Sequence, residues 1–181
     1  MTDDSLGPLP DALAGDGWRL SLRRLGSGRE AEECARLMAA NEPWRTLGRG
    51  YEASLQAVTR PDRETWVAVG DDGAVVGFVV LCLVGAFVGY LQSIAVREGW
   101  RSRGLGTRLV AFVESRVFRE SPNVFLLVSS FNPRARALYE RLGYAYIGTL
   151  RDYLVPGHDE HLLRKSLGPL GTFRPTAPPP A

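Results

Sequence analysis

Cysteine and histidine are scarce in this sequence, and their scarcity limits the chemistry open to it. The 181 residues include two cysteines, Cys34 and Cys82, and two histidines, His158 and His161. Neither cysteine stands in a CxxC or other metal-ligand spacing, so the sequence predicts neither a zinc site nor a disulfide framework. We expect two buried thiols in a reducing compartment, and no bound metal.

Long hydrophobic runs and a dominant charge are missing too. The longest apolar stretch, Ala74 to Val88, contains glycines and cannot span a bilayer, and the acidic start Met1 to Asp4 does not resemble a signal peptide. With 22 basic and 20 acidic residues the net charge is +2, too small for the broad field that attracts nucleic acids or membranes. We therefore expect a cytoplasmic protein with a small or locally recognised partner, and neither a nucleic acid nor a membrane.

The chain has the length and composition of one domain, since 45% of its residues are hydrophobic. Residues 1–16 are rich in Gly, Pro, Asp and Ala and lack periodicity, which predicts a flexible N-terminal arm. Residues 168–181 contain five prolines and predict a tail outside the fold. The domain itself is expected over residues 17–167.

Strand and helix patterns follow one another through this domain. Strand patterns cover Trp18 to Leu25, Thr65 to Val69, Ala74 to Val84, Phe87 to Val96, Val124 to Ser129, Tyr144 to Leu150 and His161 to Ser166. Helix patterns cover Arg29 to Ala40, Tyr51 to Thr59, Gly104 to Phe118 and Asn132 to Leu142. Their order predicts an α/β fold of the α+β type, with a mostly antiparallel, twisted sheet of six to seven strands flanked by about four helices.

A glycine-rich turn joins the strand ending at Val96 to the helix starting at Gly104. In this turn Arg101 is followed by Gly104 and Gly106 in the spacing Arg-x-x-Gly-x-Gly. The first N–H groups of a helix have no internal partners and carry partial positive charge, so they attract a phosphate, and glycines let it approach the backbone. Arg101 and Arg103 add formal charge for a polyanion.

Two other phosphate-binding loops do not fit this turn. A dinucleotide-binding GxGxxG starting at Gly104 needs glycine at position 109, where Leu109 stands. A P-loop starting at Gly99 needs Lys and Ser/Thr where Leu105 and Gly106 stand. A strand-to-helix turn that uses its glycines only for structure remains an alternative.

A second motif lies downstream, in the segment NPRARALYERLGY from Asn132 to Tyr144. Taken alone, Asn132 is explained as a helix N-cap and Tyr139 as a core residue beside an apolar stripe. The two motifs together, in this order, resemble the GNAT acetyltransferases. The resemblance covers the domain from Trp18 to Leu167, and its specific part covers residues 91–144.

The resemblance implies a sheet whose two central strands, at Ile94 to Val96 and at Val124 to Ser129, splay apart. The pantetheine arm of acetyl-CoA would lie in the V-shaped gap, with Asn132 against that arm or a nearby backbone group. The residues that the resemblance assigns to acetyl-CoA are Ile94, Ala95, Val96, Arg101, Ser102, Arg103, Gly104, Leu105, Gly106, Thr107, Asn132 and Tyr139.

The resemblance also implies that an acceptor amine attacks the thioester carbonyl directly, without an acyl-enzyme. A backbone N–H of Ile94 or Ala95 would stabilise the developing oxyanion, and Tyr139 is the expected acid for the leaving CoA thiolate. Cys82, a thiol in an apolar strand with no neighbouring base, is interpreted as a packing residue.

The general base is open between two residues. Glu52 can project from the second predicted helix. Gln92 stands where relatives often carry a basic Glu, and its amide cannot take a proton but can orient a water. A water-relayed base, or no dedicated base, fits this departure.

The acceptor is expected to contact Trp44, Tyr51 and Tyr153, because these segments flank the thioester end in relatives. The segment from Leu150 to Leu163 loosely resembles peptide N-terminal acetyltransferases, which usually carry a Tyr pair where this chain has Tyr153 and Leu154. The expected function is therefore acetyl-CoA-dependent transfer of an acetyl group to a primary amine of a peptide, a protein N-terminus or a small molecule, in a ternary complex.

Two other functions stay open. A GNAT-shaped domain can bind acyl-CoA without catalysis, as a sensor or a structural module. Nucleic-acid binding would use the arginines Arg101, Arg103, Arg108, Arg116 and Arg119, which are spread around one helix. A homodimer is implied only at the level of the family.

Overall fold

The hydrophobic patterns of the sequence become eight strands and four α-helices in the computed structural model, which describes residues 9–176. The strands are β1 Ala12–Gly15, β2 Trp18–Arg24, β3 Glu64–Val69, β4 Val75–Cys82, β5 Tyr90–Val96, β6 Asn123–Ser129, β7 Ala145–Val155 and β8 His158–Ser166. The helices are α1 Gly28–Ala39, α2 Tyr51–Thr59, α3 Leu105–Val117 and α4 Pro133–Arg141.

All eight strands belong to one open sheet, in the order β1-β2-β3-β4-β5-β6-β8-β7. Every neighbouring pair is antiparallel except the central pair β5 and β6. These two strands are parallel and pair only at Tyr90 with Phe125 and at Leu91 with Leu126, after which they diverge. The predicted α/β fold with splayed central strands is therefore confirmed, with eight strands in the sheet where six to seven were expected.

Helices cover both faces of the sheet. All eight residues of β4 are buried, as expected for a central strand with helices on both sides. Helix α3 packs its stripe of Leu109, Phe112 and Val113 on one face, which we call the α3 face. On the opposite face, the α1 face, Cys34 and Met38 of α1 pack with Val58 of α2.

The predicted N-terminal arm and the predicted C-terminal tail both include residues that belong to the folded domain. Residues 12–15 of the predicted arm form β1, which pairs with β2 and buries Leu13. The tail packs back on the domain, because Leu170–Thr172 form a 3₁₀ turn and Thr176 N donates to Arg119 O. The remaining parts of the arm and tail, residues 1–8 and 177–181, lie outside the described residues.

Cys34 and Cys82 are both free and buried, as expected. The Cys82 Sγ is directed at the carbonyl of Val84. Within residues 9–176, no helix combines the length and the apolar character needed to cross a bilayer.

An ion-pair network joins the first residue of β3 to helix α3. Arg116 of α3 binds Glu64 of β3 through two nitrogens, at 2.6 and 2.9 Å, and also pairs with Glu120 at 2.6 Å. Trp66 Nε1 donates to the same Glu64 carboxylate at 2.9 Å. Burial by itself would raise the pKa of Glu64, but the hydrogen bonds from Arg116 and Trp66 outweigh it and leave the pKa below its usual value.

Replacing Arg116 by methionine should lower the free energy of unfolding by about 3 kcal/mol, because Glu64 would stay buried without its main partner. The measurement is urea unfolding at pH 7. Because the folded-state pKa of Glu64 is lower than its unfolded value, the pair stabilises the protein above a pH of about 4.3 and this contribution disappears in acid. The loss caused by Arg116→Met should therefore shrink as the pH falls.

The matched control is Arg136→Met, which breaks the exposed i,i+4 pair between Arg136 and Glu140. Exposed pairs of this kind contribute less than about 1 kcal/mol. Equal destabilisation by Arg116→Met and Arg136→Met would contradict the assignment of a stabilising network.

Candidate active site

The cleft of this protein begins where β5 leaves β6. Ser93 of β5 lies opposite Val80 of β4, but Leu91 lies opposite Leu81, so Gln92 is an extra residue that forms a β-bulge. A bulge bends its strand and reverses the alternation of side chains beyond it. The bulge and the divergence of β5 from β6 both occur at Gln92, and together they open the sheet at its centre.

Two cavities meet in this opening. The larger, of about 590 Å³, lies beside the turn between β5 and α3, and we call it the loop cavity. The smaller, of about 370 Å³, lies toward the hairpin between β7 and β8, and we call it the hairpin cavity. Both are lined by Glu42, Trp44, Ile94, Asn132, Ala135 and Tyr139.

The start of α3 forms the floor of the loop cavity. Gly104 is the N-cap of α3 with a φ of 83°, a left-handed conformation that favours glycine. The first hydrogen bond of the helix runs from Arg108 N to Gly104 O, so the N–H groups of Leu105, Gly106 and Thr107 precede the ladder. A Cβ atom added at Gly104 would meet no atom within 4 Å, which leaves room for a ligand against the backbone.

Arginines surround the same cavity. Arg101 donates to the carbonyl of Val96 at 3.2 Å, and Arg134 of α4 donates to the Ser102 hydroxyl at 2.8 Å. The arginines that line the cavity are Arg45, Arg101, Arg134 and Arg141. Four guanidinium groups beside a helix N-terminus provide a site for a polyanion.

Two predicted members of the loop have other positions. Arg103 is stacked on the ring of Trp100, 4.6 Å from its centroid, and does not line the loop cavity. The side chain of Leu105 is buried in the core of the α3 face, so only its backbone N–H can serve a ligand. Arg134 and Arg141 of α4 take part in the cavity although the sequence analysis did not single them out. Their spacing with Leu138 along one helical stripe was the available indication.

Asn132 and Tyr139 stand at the junction of the two cavities. The Asn132 side-chain oxygen accepts a hydrogen bond from Ala135 N at 3.2 Å, so this residue is the N-cap of α4 and keeps its amide N–H groups for another partner. Tyr139 is 6% exposed. Burial is the main cause that raises the pKa of Tyr139 well above its usual value, and the nearby Tyr90 adds a smaller effect in the same direction. The phenol therefore remains protonated at all working pH values.

Gln92 lies in the hairpin cavity and is already engaged. Its side-chain oxygen accepts a hydrogen bond from Arg63 Nε at 2.8 Å. Tyr153 lines this cavity with 57% of its surface exposed. Tyr90 lies at the same end, and burial raises its pKa to about 12.

Glu160 also lines this cavity, and the sequence analysis did not single it out. It is 2% exposed, and it accepts a hydrogen bond from the Ser129 hydroxyl at 2.7 Å. Burial raises the pKa of Glu160, while the hydrogen bond from Ser129 and the charges of His161, Arg49 and His158 act in the opposite direction. The pairing of Ser129 with Glu160 depends on the register between β6 and β8, which no local sequence pattern reveals.

Glu52 and Tyr51 are predicted site residues that line neither cavity. Helix α2 buries Ser54, Ala57 and Val58, and Glu52 projects from its exposed side. Tyr51 packs under the guanidinium of Arg36, at 5.8 Å from the ring centroid. Trp44, predicted as an acceptor contact, lines both cavities, and its role stays a prediction.

Within residues 9–176 no cluster of His, Cys, Asp or Glu side chains is arranged to hold a metal ion. The fold and the cleft define a class of protein: an open, mostly antiparallel sheet, split between two central parallel strands, with an arginine-lined helix N-terminus at the split. The chain belongs to the acetyltransferase (GNAT) family, whose model matches residues 29–144.

Two known acetyltransferases resemble this chain over 47% and 82% of its length. The N-alpha-acetyltransferase RimI of Mycobacterium tuberculosis is 28% identical over 152 residues, which are 82% of this chain and 91% of the relative. The blasticidin-S acetyltransferase of Streptomyces morookaense is 35% identical over 92 residues, 47% of this chain and 67% of the relative. The structure of Arabidopsis thaliana NAA60 in complex with acetyl-CoA has a similar fold, with a TM-score of 0.67 at 19% identity over 82% of this chain and 98% of that one.

Proposed function

We propose that this protein transfers the acetyl group of acetyl-CoA to a primary amine, by direct attack in a ternary complex. The observation that carries the proposal is the continuous cleft. It has a polyanion site at the start of α3, a buried phenol at its middle and a second cavity for the acceptor at the hairpin end.

The residues of the loop cavity suit the diphosphate and pantetheine groups of acetyl-CoA. The diphosphate would accept hydrogen bonds from the first N–H groups of α3, with Arg101 and Arg134 neutralising its charge. Beyond the bulge, the edge of β5 from Ile94 to Val96 faces the gap and can pair with an amide-containing chain as a strand does. Acetyl-CoA supplies the activated acetyl thioester, and the complexes of similar proteins with acetyl-CoA support this choice.

The protein's own groups can assist the transfer in two ways. The N–H of Ile94 or Ala95, next to the bulge, can donate to the thioester oxygen as negative charge develops on it. Tyr139 can protonate or hydrogen-bond the departing sulfur. Cys82 lines neither cavity, which supports direct attack by the amine rather than an acyl-enzyme.

The acceptor class rests on the hairpin cavity and on the relatives. Trp44 and Tyr153 offer aromatic surface, and Gln92 and Glu160 offer polar contacts to an amine. The similarity to RimI, an N-alpha-acetyltransferase, favours a peptide or protein N-terminus as acceptor, whereas the similarity to the blasticidin-S acetyltransferase favours a small-molecule amine. We therefore propose a primary amine as the acceptor, without placing peptide N-termini above small amines.

Release of CoA thiol from acetyl-CoA should depend on an added amine. The panel would contain tetrapeptides beginning with Ala, Ser or Met, the polyamine spermidine and an aminoglycoside. Amine-dependent thiol release, with an acetylated product of the expected mass, supports the proposal. Binding of acetyl-CoA without thiol release for any amine would favour a non-catalytic acyl-CoA sensor instead.

A further inference from the structure

We infer that Glu160 receives the ammonium group of the acceptor in the hairpin cavity and removes its proton, with Ser129 as the residue that positions the Glu160 carboxylate. The inference rests on the proposed acetyl transfer. Glu160 is then the general base of this chain, and it is located on β8 rather than on α2 or β5.

The strand registers bring Glu160 to the correct face of the sheet. Leu126 of β6 and Leu163 of β8 lie opposite each other and both pack on the α3 face. Because side chains alternate along a strand, Ser129 and its partner Glu160 point to the α1 face. Phe125 precedes Leu126 on β6 and therefore points to the α1 face. Tyr90 lies opposite Phe125 and is on this face too.

Beyond the bulge, Ser93 is also directed to the α1 face. It lies opposite Val80, which packs in the core of that face. Ser93 lines the hairpin cavity, and its hydroxyl is buried and has no hydrogen-bond partner within the described part of the chain. A buried hydroxyl without a partner costs free energy unless a ligand or a water satisfies it. Its position next to the diverging strands therefore marks the place of a polar acceptor group.

Glu160 has the surroundings of a base rather than of a structural ion pair. Its hydrogen bond comes from a neutral hydroxyl, that of Ser129. The charged and titratable groups that act on Glu160 or on the adjacent Tyr90 include Arg49 between α1 and α2, Tyr153 on β7, and His158 and His161 on β8. Two further charged residues, Glu42 and Arg63, line the same cavity. Burial raises the pKa of Glu160, which brings it closer to the range in which a carboxylate exchanges protons near neutral pH.

The proton balance of the reaction is simple in this arrangement. The ammonium nitrogen starts with three protons, and the first passes to the Glu160 carboxylate and then to solvent. The free amine attacks the acetyl carbonyl, so that an N–C bond forms and the C–S bond breaks. Of the two remaining protons, one stays on the amide and the other ends on the CoA sulfur, by way of Tyr139.

The test is the pH profile of kcat/KM for wild type and Glu160→Gln, with spermidine and an Ala-initiated tetrapeptide as acceptors. In wild type, kcat/KM should level off above the pKa of Glu160. In the variant it should keep rising about tenfold per pH unit until the amine itself loses its proton, because only free amine can react. At pH 7 the variant should be slower by about 100-fold.

Two further variants separate catalysis from structure. Glu32→Gln removes an exposed carboxylate on α1, paired with Arg36, and should leave the profile unchanged. Ser129→Ala removes the hydrogen bond that lowers the pKa of Glu160. The acid limb, which is the rising part of the kcat/KM profile at low pH, should therefore move to higher pH, while the profile should still level off. A limb that does not move in Ser129→Ala would overturn the positioning role of Ser129.

The two proposals fail in different ways. If wild type releases no thiol with any amine, acetyl transfer itself is overturned. If wild type is active and Glu160→Gln keeps both the rate and the levelling of the wild-type profile, the protein is an acetyltransferase whose base is elsewhere. Thermal unfolding and acetyl-CoA binding, measured on the same variants, should stay at wild-type values.

Discussion

Replacing Gly104 by glutamate is expected to weaken acetyl-CoA binding about 1,000-fold. The side chain would place a carboxylate beside the N–H groups that start α3, where the diphosphate is expected to bind. Two like charges about 4 Å apart repel by about 4 kcal/mol at an effective dielectric constant near 20, and this energy corresponds to about three orders of magnitude in Kd. Isothermal titration calorimetry of both proteins with acetyl-CoA measures the effect.

Gly73→Glu is the matched control for backbone strain. Gly73, in the turn between β3 and β4, has a φ of 76°, close to the 83° of Gly104, and a Cβ atom there would likewise meet no atom within 4 Å. A non-glycine residue in this conformation costs about 1–2 kcal/mol in either position. Gly73→Glu should therefore lose similar stability but bind acetyl-CoA like wild type. Equal binding by wild type and Gly104→Glu would rule out the start of α3 as the diphosphate site.

Replacing Tyr139 by phenylalanine should lower kcat about 1,000-fold while the Kd for acetyl-CoA changes little, because a positioned acid contributes mainly in the transition state. A phenol near pKa 10 protonates a thiolate near pKa 8.5 uphill by about 2 kcal/mol in water. The burial of Tyr139 increases this difference, but the thiolate leaves into the same dry cleft, where its own pKa rises as well. Single-turnover kinetics at saturating amine would measure the chemical step.

Tyr144→Phe is the control for Tyr139→Phe. The rings of Tyr139 and Tyr144 are in edge-to-face contact, with centroids 5.6 Å apart, and Tyr144 lines neither cavity. Both variants keep the ring and lose one buried hydroxyl. Similar kcat values for the two variants would show that the Tyr139 hydroxyl serves packing and not proton transfer.

Much of the fold was predictable because its elements are encoded locally. The helix from Tyr51 to Thr59 was predicted with its observed bounds, and α3 and α4 within one residue at each end. Ser27 and Asn132 are caps whose side chains bond the first turns of α1 and α4, and such caps are read from a few adjacent residues. The terminal segments were misjudged because β1 has four residues and little periodicity, and it is stabilised by pairing with β2.

The candidate site was predictable where one motif carries it. The turn from Arg101 to Thr107 needs only a strand end, two glycines and a helix start, and all three are contiguous. The proposed base, Glu160, was not predictable in this way. Glu52 was attractive because it stands on a helix near the expected acceptor, but the face that α2 buries decides its direction, and that face turns Glu52 to solvent.

The sequence by itself determined the class of fold, and it indicated the candidate polyanion loop and the pair Asn132 and Tyr139, because each depends on spacing along one segment of the chain. Only the tertiary structure decided which side chains share the hairpin cavity. The bulge at Gln92 turns Ser93 to the α1 face, and the register of β6 with β8 brings Ser129 beside Glu160. Bulges and registers are set by packing between distant strands, and a shift of one residue would move Glu160 to the other face of the sheet.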